Sequence, residues 1–218
     1  MTANAFSFVL DLFFPKQNLE YSSIHTYLTV SEIEKFKPEQ IPSENSELFS
    51  GLYSFSSFQN NLLADLIHRA KFNGELEICT SLADIILFNW QKAGISKPDI
   101  ITFIPPDKKR FTQRQYHIPQ KIAKIVAGKL GVRIQETLFK TRATKSQVGL
   151  TKEERLTNLS AAFEITQEVK EINFLSTKFP IVWLIDDVYT TGTTFKECAG
   201  VLKRDLPNWK IIGLAISN

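Results

Sequence analysis

The run from Pro180 to Thr194 constrains the fold more than any other part of the chain. Residues Ile181–Ile185 are continuously apolar and rich in β-branched side chains, which is typical of a strand buried on both faces of a parallel sheet. Two acidic residues, a Thr/Gly-rich segment and an amphipathic helix to about Arg204 follow. This order predicts a ligand site at the carboxyl edge of an open α/β sheet.

Strands and amphipathic helices alternate along the rest of the chain. Short, mostly apolar runs predict further strands at Ile100–Ile104 and Ile211–Ile216, and the next strand after Gly131 is expected at 132–138. Apolar residues at helical spacing predict helices at 62–70, 82–90 and Pro119–Leu130, the last ended by Gly131. The pattern predicts an α/β fold with an open, mainly parallel sheet flanked by helices. Residues 1–50, which Pro15, Pro38 and Pro42 interrupt, form a small irregular N-terminal segment, and 51–218 form the main domain.

Composition is that of an ordinary globular protein. The chain has 218 residues, of which 43% are hydrophobic and 22% charged. The apolar stretch Ala5–Phe14 is too short to span a bilayer and lacks the layout of a signal peptide, so we expect no membrane insertion. Cys79 and Cys198 match no metal-ligand spacing, and such low cysteine usage is typical of a reducing compartment. We therefore expect a cytoplasmic protein.

The net charge of +3 hides a polarised distribution. Residues 101–155 contain thirteen Lys and Arg residues against four Asp and Glu. A basic segment of this kind favours a polyanionic ligand, such as a polyphosphate or a nucleic acid. An ordinary solvated basic helix face is the alternative for such a run.

The segment after the strand has the chemistry of a sugar-phosphate site. The carboxylates of Asp186 and Asp187 can accept hydrogen bonds from vicinal sugar hydroxyls or hold a hydrated Mg²⁺. Gly192 permits a tight turn that wraps a phosphate, and the next helix directs its N-terminal N–H groups at the same anion. The alternative is a polar turn with a threonine N-cap.

The whole string resembles the phosphoribosyl pyrophosphate loop of the type I phosphoribosyltransferases. The resemblance implies an open sheet of that family's type. It also implies that Asp186 and Asp187 bind the ribose, act as the catalytic carboxylates and hold Mg²⁺ through water. The ribose 5-phosphate site would comprise these two residues together with Val188, Tyr189, Thr190, Thr191, Gly192, Thr193 and Thr194.

A narrower resemblance, to the ComF family, covers most of the chain from about Leu63. Besides the phosphoribosyl pyrophosphate loop, the matching blocks read, in order, Leu66-Ile67-His68-Arg69-Ala70-Lys71-Phe72-Asn73-Gly74, then Ile104-Pro105-Pro106 with Lys109-Arg110 and Arg114-Gln115-Tyr116, then Arg142–Thr151 with Glu154-Arg155 and Asn158 through Ala162-Phe163. ComF proteins are phosphoribosyltransferase-like and are associated with DNA uptake in bacterial competence.

Two departures from the ComF pattern affect what can be carried over. ComF proteins commonly open with a Cys₄ zinc module, but Lys16–Tyr21 contains no cysteine, so 1–50 resembles a degenerate counterpart and no zinc is expected. The usual Arg-Gly-Phe-Asn block reads Arg114-Gln115-Tyr116-His117, which lacks the glycine.

Further basic residues are candidates for contacts with the anion. Lys108, Lys109, Arg110 and Arg114 follow a buried strand and could meet a pyrophosphate, with an exposed basic turn as the alternative. Arg142, Lys145 and Arg155 resemble the flexible loop that closes over a phosphoribosyl donor, and a merely mobile loop is the alternative. His68 fits a structural or surface role or an anion contact, and no partner for nucleophile activation is evident for His117.

Three functions are compatible with these features. The first is a ComF-like protein that binds phosphoribosyl pyrophosphate with Mg²⁺ and takes part in DNA uptake, with competence proteins as partners. The second is a non-catalytic protein that senses nucleotides or binds single-stranded DNA. The third is a nucleobase-salvage phosphoribosyltransferase. The acceptor, the oligomeric state and the occurrence of turnover are left open by the sequence.

Overall fold

The computed structural model describes residues 27–42, 47–56, 61–106, 116–141, 162–170 and 178–218. Its helices, in chain order, are α1 (Val30–Ile33), α2 (Asn61–His68), α3 (Ile78–Asn89), α4 (Ile118–Leu130), α5 (Gln167–Lys170) and α6 (Thr193–Asp205), and a π-helical turn (Arg69–Asn73) continues α2. Its strands are β1 (Glu39–Gln40), β2 (Gly51–Ser54), β3 (Ile100–Phe103), β4 (Arg133–Ile134), β5 (Leu138–Lys140), β6 (Phe163–Ile165), β7 (Ile181–Val188) and β8 (Lys210–Ser217).

A six-stranded sheet with the order β1–β2–β8–β7–β3–β4 forms the centre of the fold. All neighbours in it are parallel except β1, which pairs antiparallel with β2. The predicted mixed α/β fold with a mainly parallel sheet flanked by helices is confirmed. Strands β5 and β6 form a separate antiparallel pair.

Alternating side chains of β7 fill two separate apolar cores, one on each face of the sheet. Trp183 and Ile185 pack with α2, α3 and α4 on one face. Val182 and Leu184 pack with α6 and β6 on the other. Successive strand residues point to opposite faces, so a continuous apolar run is what a strand covered on both sides requires.

Residues before β2 contribute to the same cores. Leu28, Ile33 and Phe36 are buried in the core formed with α3, and Phe49 is buried against Phe195 of α6 with ring centroids 6.5 Å apart. Phe36 and Phe49 therefore belong to the core. The stretch Ala5–Phe14 lies outside the described residues, and the division at residue 50 stays a prediction.

The single strand predicted at 132–138 is wrong. The structure has two short strands there, β4 beside β3 and β5 in the two-stranded sheet. Thr137 lies between them with a buried hydroxyl 2.8 Å from the hydroxyl of Thr102, and its carbonyl accepts a hydrogen bond from the Thr166 N–H. These contacts turn the chain out of one sheet and into the other.

The helix predictions hold with shifted ends. Helix α3 begins at Ile78 rather than Leu82, since Ile78 and Cys79 add to its buried face. Gly74 and Gly131 end the π-helical turn and α4 in the left-handed conformation, at φ 74° and 63°. Among the described helices, none has both the length and the apolar character needed to cross a bilayer.

Trp183 provides a test of the central packing. Its side chain is fully buried, its indole N–H donates to the Ser96 carbonyl at 3.0 Å, and its ring lies 5.6 Å from that of Trp90. We expect Trp183→Ala to lower the free energy of unfolding by about 3–5 kcal/mol, because it leaves a cavity and an unpaired carbonyl. Leu62→Ala on the exposed face of α2 should change it by less than about 0.5 kcal/mol. Urea denaturation measures both, and equal effects would contradict the packing described.

Candidate sugar-phosphate site at the carboxyl edge of the sheet

The sheet has its topological switch point between β3 and β7. Strand β3 leads through α4 to β4 on one side, and β7 leads through α6 to β8 on the other. Helices α4 and α6 cover opposite faces of the sheet. Open α/β sheets bind ligands in the crevice outside the carboxyl ends of the strands at such a point. The segments after β3 and β7 therefore mark the candidate site.

Asp186 and Asp187 belong to the last residues of β7, not to the loop after it. Strand pairing continues past them, because Asp186 stands opposite Ala215 and Val188 opposite Ser217. Asp187 is 6% exposed, and Asp186 is partly exposed. Being adjacent in a strand, the two carboxylates leave it on opposite sides. The two carboxylates therefore do not form the side-by-side pair that their adjacency in sequence suggests.

The environment of Asp186 disfavours its charged form. Its pKa is raised, first by burial of the carboxyl group and second by the neighbouring charge of Asp187. The ammonium of Lys71 and the backbone N–H of Asp187, which donates to Asp186 Oδ1 at 2.9 Å, act in the opposite direction. Asp186 is thus the carboxyl group of this site that takes up a proton more readily than an ordinary aspartate.

The loop after β7 is an open turn leading into α6. The Tyr189 N–H donates to the Ser217 carbonyl at 2.7 Å, which fixes the start of the turn. Thr190 and Thr191 are exposed, and the hydroxyls of Thr191 and Thr193 lie 2.9 Å apart. Gly192 is the N-cap of α6, so the cap has no side chain to cover the first N–H groups of the helix. This arrangement can receive an anion from solvent.

Gly192 is required by conformation and by space. Its φ is 71°, and a Cβ there would stand 2.6 Å from Cζ of Tyr189 and would also overlap the hydroxyl of that residue. The Tyr189 ring in turn lies 5.9 Å from the Phe195 ring of α6. The glycine lets the aromatic ring lie across the turn.

Gly131 is a matched control for Gly192. It has φ 63°, but a Cβ there would meet nothing within 4 Å. We expect Gly131→Ala to lower the free energy of unfolding by about 1–2 kcal/mol through backbone strain alone. Gly192→Ala should lower it by about 1–3 kcal/mol more, because the methyl group displaces Tyr189. Thermal unfolding measures the difference, and Tyr189→Ala combined with Gly192→Ala should remove the excess. An excess that survives in the double variant would contradict this origin.

Lys71 is the site residue that sequence reasoning missed. Its ammonium lies 2.7 Å from Oδ1 of Asp187, and this ion pair joins the π-helical turn to the end of β7. The block from Leu66 to Gly74 was the available signal, since it carries the ComF resemblance, but its spacing gave no reason to select Lys71. Its placement depends on the π-helical turn, and such turns are frequent at functional sites.

Tyr116 and His117 border the same crevice at the start of α4. The Tyr116 hydroxyl donates to the Lys71 carbonyl at 3.0 Å. His117 is the N-cap of α4, and its Nε2 lies 2.7 Å from the Ile104 carbonyl oxygen. Nε2 must carry the proton to donate to a carbonyl. The partner of His117 is therefore a backbone group, and a structural role for this histidine fits better than activation of a nucleophile.

His117 predicts a pH dependence of stability. Burial lowers the pKa of its imidazole, against the opposing effect of the hydrogen bond to Ile104. Because the folded-state pKa lies below the unfolded one, His117 contributes stability that is fully present above about pH 6.5 and is lost as the pH falls. The free energy of unfolding of the natural chain should decline from about pH 7 to pH 5 more steeply than that of His117→Gln. Parallel pH profiles would contradict the burial of a neutral ring.

The basic residues predicted around the anion lie outside the described residues. This applies to Lys108, Lys109, Arg110 and Arg114 after β3, and to Arg142, Lys145 and Arg155 beyond β5. Their roles stay predictions. His68 is described and exposed, and its ring stacks on that of Phe72 with centroids 4.5 Å apart.

The residues of the site can hold Mg²⁺ only if a bound ligand supplies some of the coordinating oxygens. Within the described residues, no group of three or more His, Cys, Asp or Glu side chains is placed to hold a metal ion. Mg²⁺ commonly binds through one or two carboxylates, waters and the phosphates of a substrate, and Asp186 and Asp187 fit that pattern.

Cys79 and Cys198 are buried in different cores, and burial raises the pKa of Cys79 to about 11 and that of Cys198 well above its usual range.

The chain is similar to bacterial proteins named DNA utilization protein YhgH. It is 29% identical to those of Salmonella typhimurium LT2 and Escherichia coli K12, and 30% identical to that of Escherichia coli O6:H1 CFT073. Each match covers 148 residues, which is 66% of this chain and 62% of the relative. The chain thus spans less than two thirds of the length of these relatives. No family model matches it.

Among solved structures, the chain is similar to a hypothetical protein from Neisseria gonorrhoeae with bound ppGpp. The identity is 14%, the match covers 66% of each chain and the TM-score is 0.37. This similarity is too distant to define the fold. Over 148 residues, the chain is similar to the DNA utilization proteins.

Proposed function

We propose that the chain binds phosphoribosyl pyrophosphate with Mg²⁺ at the carboxyl ends of β3 and β7, as a ComF-like protein with a phosphoribosyltransferase-type fold. The observation that carries this proposal is the arrangement of Asp186 and Asp187 beside an open turn that enters α6 at Gly192. Carboxylates suit the ribose hydroxyls, and the uncapped helix start suits the 5′-phosphate. The position at the switch point of the sheet supports the same ligand class.

The described residues would bind and orient the ligand. The turn from Thr190 to Thr194 offers hydroxyls and backbone N–H groups to the 5′-phosphate. Asp186 and Asp187 would hold Mg²⁺ through water, and the metal would supply positive charge against the pyrophosphate. Transfer of the phosphoribosyl group needs positioning and electrostatic stabilisation, and it needs no protein nucleophile. This site would support such transfer if an acceptor binds beside it.

A link to DNA uptake is supported by the relatives. The proteins that match 66% of this chain are named DNA utilization proteins. A direct contact with single-stranded DNA is the second candidate function, and the exposed stack of His68 and Phe72 beside Lys71 favours it. Aromatic rings next to basic side chains bind single strands by stacking and charge.

Calorimetric titration with phosphoribosyl pyrophosphate and Mg²⁺ tests the proposed ligand. We expect binding by the natural chain and a loss of affinity of at least about 100-fold in Asp186→Asn combined with Asp187→Asn, because charge-assisted hydrogen bonds contribute about 1.5–3 kcal/mol each. Asp205→Asn at the far end of α6 is a matched control and should bind normally.

Equal heats in the natural chain and the double variant would overturn the proposed site. Binding of an oligodeoxynucleotide that weakens steeply with salt and persists in the double variant would favour the second function. Release of pyrophosphate only when a nucleobase is added would instead identify a salvage enzyme.

A further inference from the structure

The cation nearest to the acidic residues among the described side chains comes from a distant part of the sequence. Lys71 and Asp187 are 116 positions apart, yet their charged atoms lie at 2.7 Å. The Lys71 side chain is 26% exposed and that of Asp187 is 8% exposed. The ammonium therefore stands at the mouth of the site, with the carboxylate behind it.

The backbone that carries Lys71 is held from both ends of the π-helical turn. Arg69 makes two hydrogen bonds to Glu75, at 3.0 and 2.5 Å, and its guanidinium lies 5.2 Å from the centre of the Tyr27 ring. The Tyr116 hydroxyl fixes the Lys71 carbonyl, and Gly74 ends the turn in the left-handed conformation. The fold thus fixes the backbone at Lys71, and the ion pair with Asp187 holds its ammonium.

This placement changes the charge that a ligand meets. Without a nearby cation, the buried carboxylate of Asp187 would favour a divalent cation over an uncharged sugar hydroxyl. Lys71 supplies one positive charge at hydrogen-bond distance from Asp187. An ammonium has three N–H donors, and among the described residues its one hydrogen-bond partner is Asp187, so it can also donate to an oxygen of a bound ligand.

We propose that Lys71 is a binding residue for the sugar. Its ammonium neutralises Asp187 and donates a hydrogen bond to a ribose oxygen, so the ribose end of the ligand binds without a metal ion. This inference rests on the proposed function and specifies how its site is charged. Mg²⁺ is then needed for the pyrophosphate and not for the ribose. Arginine keeps the charge and the donors at this position, whereas methionine keeps only the length of the side chain.

Titration with ribose 5-phosphate, in Mg²⁺ and in EDTA, tests the inference. The natural chain should bind with dissociation constants that agree within about 3-fold in the two conditions, since no charged group of this ligand needs the metal. Lys71→Met should weaken binding in EDTA by at least about 10-fold, which corresponds to the loss of one charge-assisted hydrogen bond. Lys71→Arg should restore most of the affinity.

Lys129→Met is a matched control, because it removes a Lys–Asp ion pair of the same kind. The Lys129 ammonium lies 2.6 Å from the Asp84 carboxylate, and Lys129 is in the last turn of α4, whereas His117 is the N-cap of that helix. It should bind ribose 5-phosphate as the natural chain does. Equal affinity of Lys71→Met and the natural chain in EDTA would overturn the inference. A requirement for Mg²⁺ in the natural chain would overturn the inference without any variant, and Lys71→Arg provides a second test if Lys71→Met fails to fold.

The outcomes also separate this inference from the proposed function. If the natural chain binds phosphoribosyl pyrophosphate with Mg²⁺ but binds ribose 5-phosphate only when Mg²⁺ is present, the role of Lys71 is wrong and the proposed function stands. If the natural chain binds neither compound in either condition, both are wrong.

Discussion

The burial of β7 on both faces and its pairing on both edges determine the rest of the structure. Trp183 and Ile185 fill one core, Val182 and Leu184 fill the other, and the backbone pairs with β3 and β8. A strand held in this way cannot shift along its neighbours without exposing apolar side chains. Its end therefore has a fixed position, and the acidic residues and the turn before α6 take their places from it.

Much of the fold could be predicted from the sequence because its signals are local. A continuous apolar run marks β7, helical spacing marks α4, and Gly131 marks the end of that helix. The split of 132–138 could not be predicted, since it depends on the hydroxyl contact between Thr137 and Thr102 from another strand. A periodic pattern records which residues are buried but not which partner covers them.

In the candidate site, too, some features follow from local sequence and others depend on distant contacts. Its acidic residues and glycine turn follow one strand, so a short stretch of sequence contains them together. Lys71 comes to the site from a distant part of the sequence, in a turn whose hydrogen bonding differs from that of an ordinary helix. Neither composition nor spacing encodes that approach. The opposite directions of the Asp186 and Asp187 side chains could not be predicted from the sequence alone either. Adjacent acidic residues suggest a pair, but consecutive side chains of a strand point to opposite faces of the sheet.

The alternation along β7 also restricts how the gene can vary in length. An inserted or deleted codon within β7 would interchange the faces of every residue beyond it, which would place Trp183 against α6 or remove Asp187 from Lys71. The turn around Gly94, where an added side chain meets nothing within 4 Å, has no such restriction. Natural length variation among relatives is therefore expected to accumulate at turns such as this one and to be excluded from the strand that ends in the site.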